Sequence, residues 1–223
     1  MTKSTTPEKL RIACEELLKA ASRPEEVTVR GIAERAGTNI GAVNYHFGNV
    51  DHLIVTVAER VYRRLNAERL ALLHAALQRS HPAPARVEDL IEALVGPSIR
   101  WSLDPNSSYG VLRHMTTLAQ SSGHPEVFKP MIEDIDHHRL FIPHFRKIAP
   151  WLGDVEIGFR MSCLLGVRSQ MTRSRERTEE LTGHGLDLAD PEVVIAQVVA
   201  ATAPMFTAPS ARHSNAVPNS SRQ

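Results

Sequence analysis

Residues 28–53, TVRGIAERAGTNIGAVNYHFGNVDHL, constrain the fold more than any other stretch of the chain. Two short helical segments flank Gly37, and an aromatic–glycine stop, Phe47-Gly48, follows. Ala33, Gly37 and Val43 stand four and six residues apart, a spacing that lets two helices cross tightly. Ala33 is small where they touch, Gly37 takes the left-handed conformation that ends the first helix, and Val43 supplies the apolar contact from the second. That pattern is a helix-turn-helix, whose usual work is to place its second helix in the DNA major groove. Base contacts then fall to Thr38, Asn39, Gly41, Ala42, Asn44 and Tyr45, at the start and outer face of that helix. Asn39 and Asn44 can pair with adenine edges, the Ala42 methyl can touch thymine, and Gly41 allows close backbone approach. Phe47 is read as packing, whereas Tyr45 and His46 suit either packing or contact.

The run TVRGIAERAGTNIGAVNYHFGN closely resembles the amino-terminal DNA-binding signature of TetR-family transcriptional regulators. Thr28, Ile32, Ala33, Ala36, Gly37, Gly41, Val43, Tyr45, His46, Phe47 and Leu53 carry the resemblance, over about an eighth of the chain. It implies phosphate clamping by Thr28, Arg30, Tyr45, His46 and Asn49. It further implies dimerisation through the last two long helices and a small-molecule site in the carboxy-terminal domain. The family pattern usually has a lysine at the start of the fourth helix, where this sequence has Val50. That removes one cation from where a phosphate would lie.

Around this motif the periodicity is helical throughout, and the expected fold is all-α. Leu10, Ala13, Cys14, Leu17, Leu18 and Ala21 form one apolar stripe that packs on the helix-turn-helix. Thr28 is placed to cap a helix over 29–36, and Thr38 or Asn39 one over 40–46. A long helix over 50–79 follows, and Ser80-His81-Pro82-Ala83-Pro84 is the clearest break. Further helices are expected over 86–102, 109–121, 125–149, 155–178 and 191–206, with Pro143 kinking or splitting the third of these. The organisation expected is a DNA-binding domain over 1–49, a connecting helix over 50–80, an effector-binding and dimerisation domain over 81–207, and a disordered tail over 208–223.

Two stretches read as an intersubunit surface. Gly158, Ser162 and Gly166 recur every fourth residue beside Met161 and Leu165, and 193–206 is apolar nearly all round, including Val194, Val198 and Ala201. A helix apolar on every face must be covered on every face, and a second copy is the natural cover. Trp101, His114, Met115, Leu118, Phe128, Met131, Ile135, His138 and Phe141 supply material for an apolar effector pocket, with His114 or His138 as polar handles. The same residues would equally build a plain core.

Composition excludes several classes. With 223 residues, 42% hydrophobic and 23% charged, the chain is ordinary for a globular protein. It lacks an apolar run of about 18 residues and a signal-like start, so cytoplasm is the expected setting, with no membrane partner. The net charge is +1 overall, and seven Lys/Arg against six Glu give +1 again over residues 1–50. DNA binding must therefore rest on a few placed cations and dipoles. Cys14 and Cys163 read as separate reduced thiols on apolar helices. A metal would find His137 and Glu133, or Asp134 and His138, one helical turn apart, but no third ligand is signalled. Arg168, Arg173, Arg175 and Arg177 read as a solvated helix end, or more sharply as a contact for an anionic ligand or across a dimer. No phosphate-cradling loop, nucleophile elbow or Cys-x-x-Cys is present, so neither enzyme chemistry nor a cofactor is called for. The function expected is a homodimeric repressor released from a near-palindromic double-stranded DNA operator by a small-molecule effector. An activator of the same kind, or a helical protein–protein adaptor without DNA binding, are the alternatives.

Overall fold

The structure, a computed structural model, describes residues 5–208; the tail expected over 208–223 lies, but for Ala208, outside the described residues. Helix α1 (Thr6–Ala20) precedes α2 (Val29–Arg35), α3 (Ile40–Phe47) and the long α4 (Val50–Ser80). Next come α5 (Val87–Leu103), α6 (Tyr109–Ser121), α7 (Lys129–Glu133), α8 (Asp136–Arg139) and α9 (Ile142–Ile148). The chain closes with α10 (Asp154–Arg173), α11 (Arg175–Leu181), α12 (Pro191–Thr202) and α13 (Pro204–Thr207). Among the described residues the regular structure is all helical.

Two apolar cores share α4, whose 31 residues span about 46 Å at 1.5 Å per residue. Its first half gives Leu53, Ile54, Val57, Ala58 and Val61 to a core with Leu10, Cys14 and Leu18 of α1, Ile32 of α2 and Val43 of α3. Helix α6 enters the same core through Val111 and Met115, and Phe128 closes it. The second half gives Leu73 and Ala76 to a core around α5, with α9, α10, α12 and α13. The middle of α5 is enclosed all round: every residue from Ala93 to Ile99 is buried.

Three of the expected helical segments are divided, each for a backbone reason, the first of them at Pro143 as expected and at two further points. The 125–149 segment becomes a 3-10 turn at Pro125–Val127 and then α7, α8 and α9. Pro125, Pro130 and Pro143 each sit in a first turn, the one helical position that needs no N–H, so each starts a new helix. Asp134 caps the break between α7 and α8 by accepting from the Asp136 N–H at 3.0 Å. Glu133 and Asp134 thus lie outside the helix that carries His137 and His138, and the shared-face metal pairs are lost. The 155–178 segment breaks at Ser174, and Pro204 separates α12 from α13.

Helix α12 also corrects the expected intersubunit surface. Val194 and Val198 are buried in their own chain's core, as is Met161 of α10, because they face α5. Beyond its first turn, where Glu192 is exposed, what α12 leaves outward is small: Ala196, Ala200 and Ala201, beside Gln197. On α10 the outward residues are Val155, 90% exposed, Phe159, 70% exposed, Ser162 and Gly166.

Candidate functional site

The turn between α2 and α3 is a complete Schellman arrangement. The Thr38 N–H donates to Ala33 O at 3.0 Å and the Gly37 N–H to Glu34 O at 3.1 Å, with Gly37 at φ 64°. Ile32, Ala33 and Val43 are buried where the two helices cross, as the spacing required. Both helix starts carry side-chain caps: Thr28 Oγ1 accepts from the Gly31 N–H at 3.1 Å, and Asn39 Oδ1 from the Ala42 N–H at 3.0 Å. Gly48, at φ 80°, stops α3, and Asn49 caps α4 by accepting from the His52 N–H at 2.9 Å.

The outer face of α3 is open. Asn39, Gly41, Asn44 and His46 are exposed, and Tyr45 is 85% exposed with its ring edge-on to His46. Thr38 and Ala42 are half-buried, and Ala42 packs partly on the first core. Phe47 also turns inward, under the Arg11 guanidinium at 5.3 Å. Thr28 and Arg30 are exposed at the start of α2, while Asn49 is half-buried. The two guanidiniums of residues 28–53 are both engaged, Arg30 with Glu34 at 2.8 Å and Arg35 with Glu16 at 2.9 Å. Such exposed pairs exchange for a phosphate at little cost.

The helical body holds a second site that the sequence located only in part. One cavity, of about 210 Å³, lies between α4, α6 and α10 under the α7–α8 turn. Tyr62, Arg69, Tyr109, Asp134, Arg168 and Arg173 supply its polar lining. A second, of about 380 Å³ and mainly apolar, runs along α10 beside Ile142, Met161 and Leu165. Ile135 and His138 line both. Of the residues expected to form a pocket, Met115, Met131, Ile135 and His138 do so.

The other five do not. Phe128 is spent on the first core and Phe141 on the second, Leu118 packs on the first, and the Trp101 Nε1–H donates to the Glu68 carboxylate at 3.0 Å. His114 is buried, and its Nε2–H donates to Ala21 O at 3.1 Å, so it joins α6 to the end of α1. Gly158, Met161, Ser162 and Leu165, expected at a subunit interface, line the apolar cavity. The sequence signal for Arg69 was its lone charge on the apolar side of α4, one turn beyond Leu65.

Burial keeps the histidines at this site neutral. His137 is pushed down to about 4, first by burial and then by Arg69; its ring is hydrogen-bonded and edge-on to Tyr62. His138 is pushed down further, to about 2, by burial and then by His137, Arg69 and Arg168. Among the described residues no three His, Cys, Asp or Glu side chains gather as a metal-ligand set. Burial also pushes the Cys14 thiol up to about 12, which leaves it unreactive at neutral pH.

A capped helix-turn-helix on a helical body that carries clefts of its own is the architecture of a DNA-binding regulator. Residues 24–57 match the family described as bacterial regulatory proteins, tetR family, and residues 92–204, half of the chain, match the tetracyclin repressor-like C-terminal domain. The chain therefore belongs to the TetR family and is a DNA-binding transcriptional regulator. Solved structures share the fold. A transcriptional regulator from Rhodococcus sp. Rha1 is 20% identical, with 91% of this chain and 96% of that one covered at a TM-score of 0.56. A regulator from Streptomyces coelicolor is 15% identical over 89% and 99%, also at 0.56. A tetR family transcription regulator from Shewanella sp. PV-4 is 14% identical over 89% and 98%, at 0.53. No curated protein matches the chain. No helix of the described residues is long and apolar enough to cross a membrane.

Proposed function

We propose that the protein is a homodimeric repressor whose hold on a near-palindromic operator is released by a small molecule bound in the helical body. Thr38, Asn39, Gly41, Ala42, Asn44 and Tyr45 meet the bases, and Thr28, Arg30, His46 and Asn49 the phosphates. Two copies pair through the outward faces of α10 and α12, which sets the two α3 helices about 34 Å apart on one side of the duplex. Regulation, not catalysis, is the activity.

One observation carries the ligand-release reading. Helix α6 lines the cavity with Tyr109, Leu112, Met115 and Thr116, and the same helix touches the end of α1 through Gly110 and His114. A ligand that shifts α6 therefore bears on the helix that carries the DNA-binding unit. A differential affinity of about 1–3 kcal/mol per site between the two arrangements suffices for a switch.

Selection of bound duplex from a random pool tests the reading. The expected product is a pair of inverted half-sites one helical turn apart. Asn44→Ala should then lower operator affinity far more than affinity for unrelated duplex. Selection of no sequence, or equal losses on both duplexes, would remove the base-reading role.

A further inference from the structure

We infer that the effector is an organic acid anion with an apolar body, its anionic head held by Arg69 and Arg168 and its body lying in the cleft along α10. The inference rests on the effector-release reading and names the chemistry of that same site. Arg69 is only 2% exposed, a position where a guanidinium normally faces a carboxylate. Here its terminal nitrogens donate to neutral groups, Nη1 to Asn66 Oδ1 and Nη2 to Ser98 Oγ, both at 2.6 Å. Its Nε has no partner. The Arg168 Nε and the His138 Nε2 are also buried and unpartnered, and all three residues line the one cavity. Buried N–H groups are ordinarily satisfied, so two orphaned guanidinium N–H groups in one place mark a missing acceptor, with the His138 ring nitrogen beside them open to a further polar contact.

Charge agrees with the orphans. The cavity wall carries three guanidiniums, of Arg69, Arg168 and Arg173, against the single carboxylate of Asp134. That carboxylate already accepts from the Asp136 N–H. Burial holds Tyr62 above its ordinary value, so it brings no negative charge at neutral pH, and holds His137 and His138 below theirs, so both rings stay neutral. A guanidinium is a planar donor fork suited to two acidic oxygens. Beyond His138 the lining turns apolar, at Ile135, Ile142, Met161 and Leu165, which fixes the chemistry of the rest of the ligand. A neutral ligand would leave the excess positive charge unmatched, and a cation would add to it.

Two fluorescent dyes that differ only by an acidic group test this directly. Anilinonaphthalene sulfonate carries the anion, and N-phenylnaphthylamine has the same aromatic body without it. The full-length protein should bind the sulfonate at least tenfold more tightly, and octanoate should displace it where octanol does not. Arg168→Gln should abolish that preference while leaving the neutral dye's affinity unchanged. Arg69→Gln should do the same, and Arg168→Gln decides the matter if the buried Arg69 variant fails to fold. Equal affinities for the two dyes, or sulfonate binding untouched by Arg168→Gln, would overturn the inference. If both dyes then bind equally and Ile142→Trp blocks both, the cavity remains an effector site of other chemistry. If neither dye binds, nor octanoate, and operator affinity answers to none of them, the effector-release reading falls as well.

Discussion

Gly110 of α6 lies so close to Lys19 of α1 that a β-carbon on it would stand 2.9 Å from the Lys19 carbonyl oxygen and 3.1 Å from its Cα. Both neighbours are backbone and cannot swing aside. The contact is therefore a fixed bearing between the helix that lines the cavity and the helix that supports the DNA-binding unit. Gly110→Ala should force the two helices apart and cost about 1–3 kcal/mol, as overpacking generally does. Urea unfolding measures that cost. The functional signature is separate: the variant should lose part of the effector's influence on operator affinity while keeping its affinity for the effector.

The caps of the helix-turn-helix allow folding to be separated from DNA contact. Asn39 Oδ1 holds the Ala42 N–H, so Asn39→Ala should cost about 1 kcal/mol of stability. Asn39→Asp keeps an equivalent acceptor and should retain that stability. It also places a negative charge on the exposed face of α3, and operator affinity should fall as sharply as in the alanine variant or more. If the aspartate variant bound DNA normally, Asn39 would be a cap and nothing else.

The legible and illegible parts of this molecule divide along physical lines. Thr28, Gly37, Asn39, Gly48 and Asn49 act through caps and backbone conformation within a few residues, so their roles could be read from neighbours in sequence. The cavity is assembled from α4, α6, α7, α8 and α10, and no local rule distinguishes Met115, which lines it, from Phe128, which fills the core beside it. Arg168 reads as part of a solvated helix end because Arg173, Glu176 and Arg177 follow it; only the tertiary fold, which sets it on one cavity with Tyr62 and Arg69 of α4, turns it inward. Val194 and Val198 misled for the opposite reason. An all-apolar stretch demands cover, but sequence does not say whether α5 of the same chain or another copy provides it.

Stability should depend on pH through the paired histidines. Burial holds His137 near 4 and His138 near 2, both well below the ordinary 6.5. Between about pH 6.5 and 4 the unfolded chain binds protons that these rings refuse when folded, so stability rises with pH across that window. It is complete above 6.5 and is lost as pH falls. The carboxylates of Glu8 and Glu192, held down by Arg60 and Arg100, add a dependence of the same sign nearer their own range. Thermal unfolding followed over pH 4–7 should therefore show a flatter slope for His137→Gln/His138→Gln than for the natural chain. Equal slopes would mean that these rings are protonated as readily folded as unfolded.

Two substitutions distinguish the outward faces of α10 and α12 from their inward ones. Phe159 is 70% exposed, and a large aromatic side chain left so open in a single chain favours burial against another. It stands near Val155, 90% exposed, and beside the small outer residues Ser162 and Gly166, which let a facing helix approach closely. Phe159→Glu should therefore convert the proposed dimer to monomers in sedimentation while leaving the chain's own unfolding transition nearly unchanged. Val198, 3% exposed, packs inward on the α5 core. Val198→Ala should lower stability by about 1–2 kcal/mol and leave dimer dissociation unaltered. Operator binding should follow the first variant more than the second, because one α3 helix alone keeps its base contacts but loses the second half-site. A Phe159→Glu chain that remained dimeric would place the subunit contact on another surface.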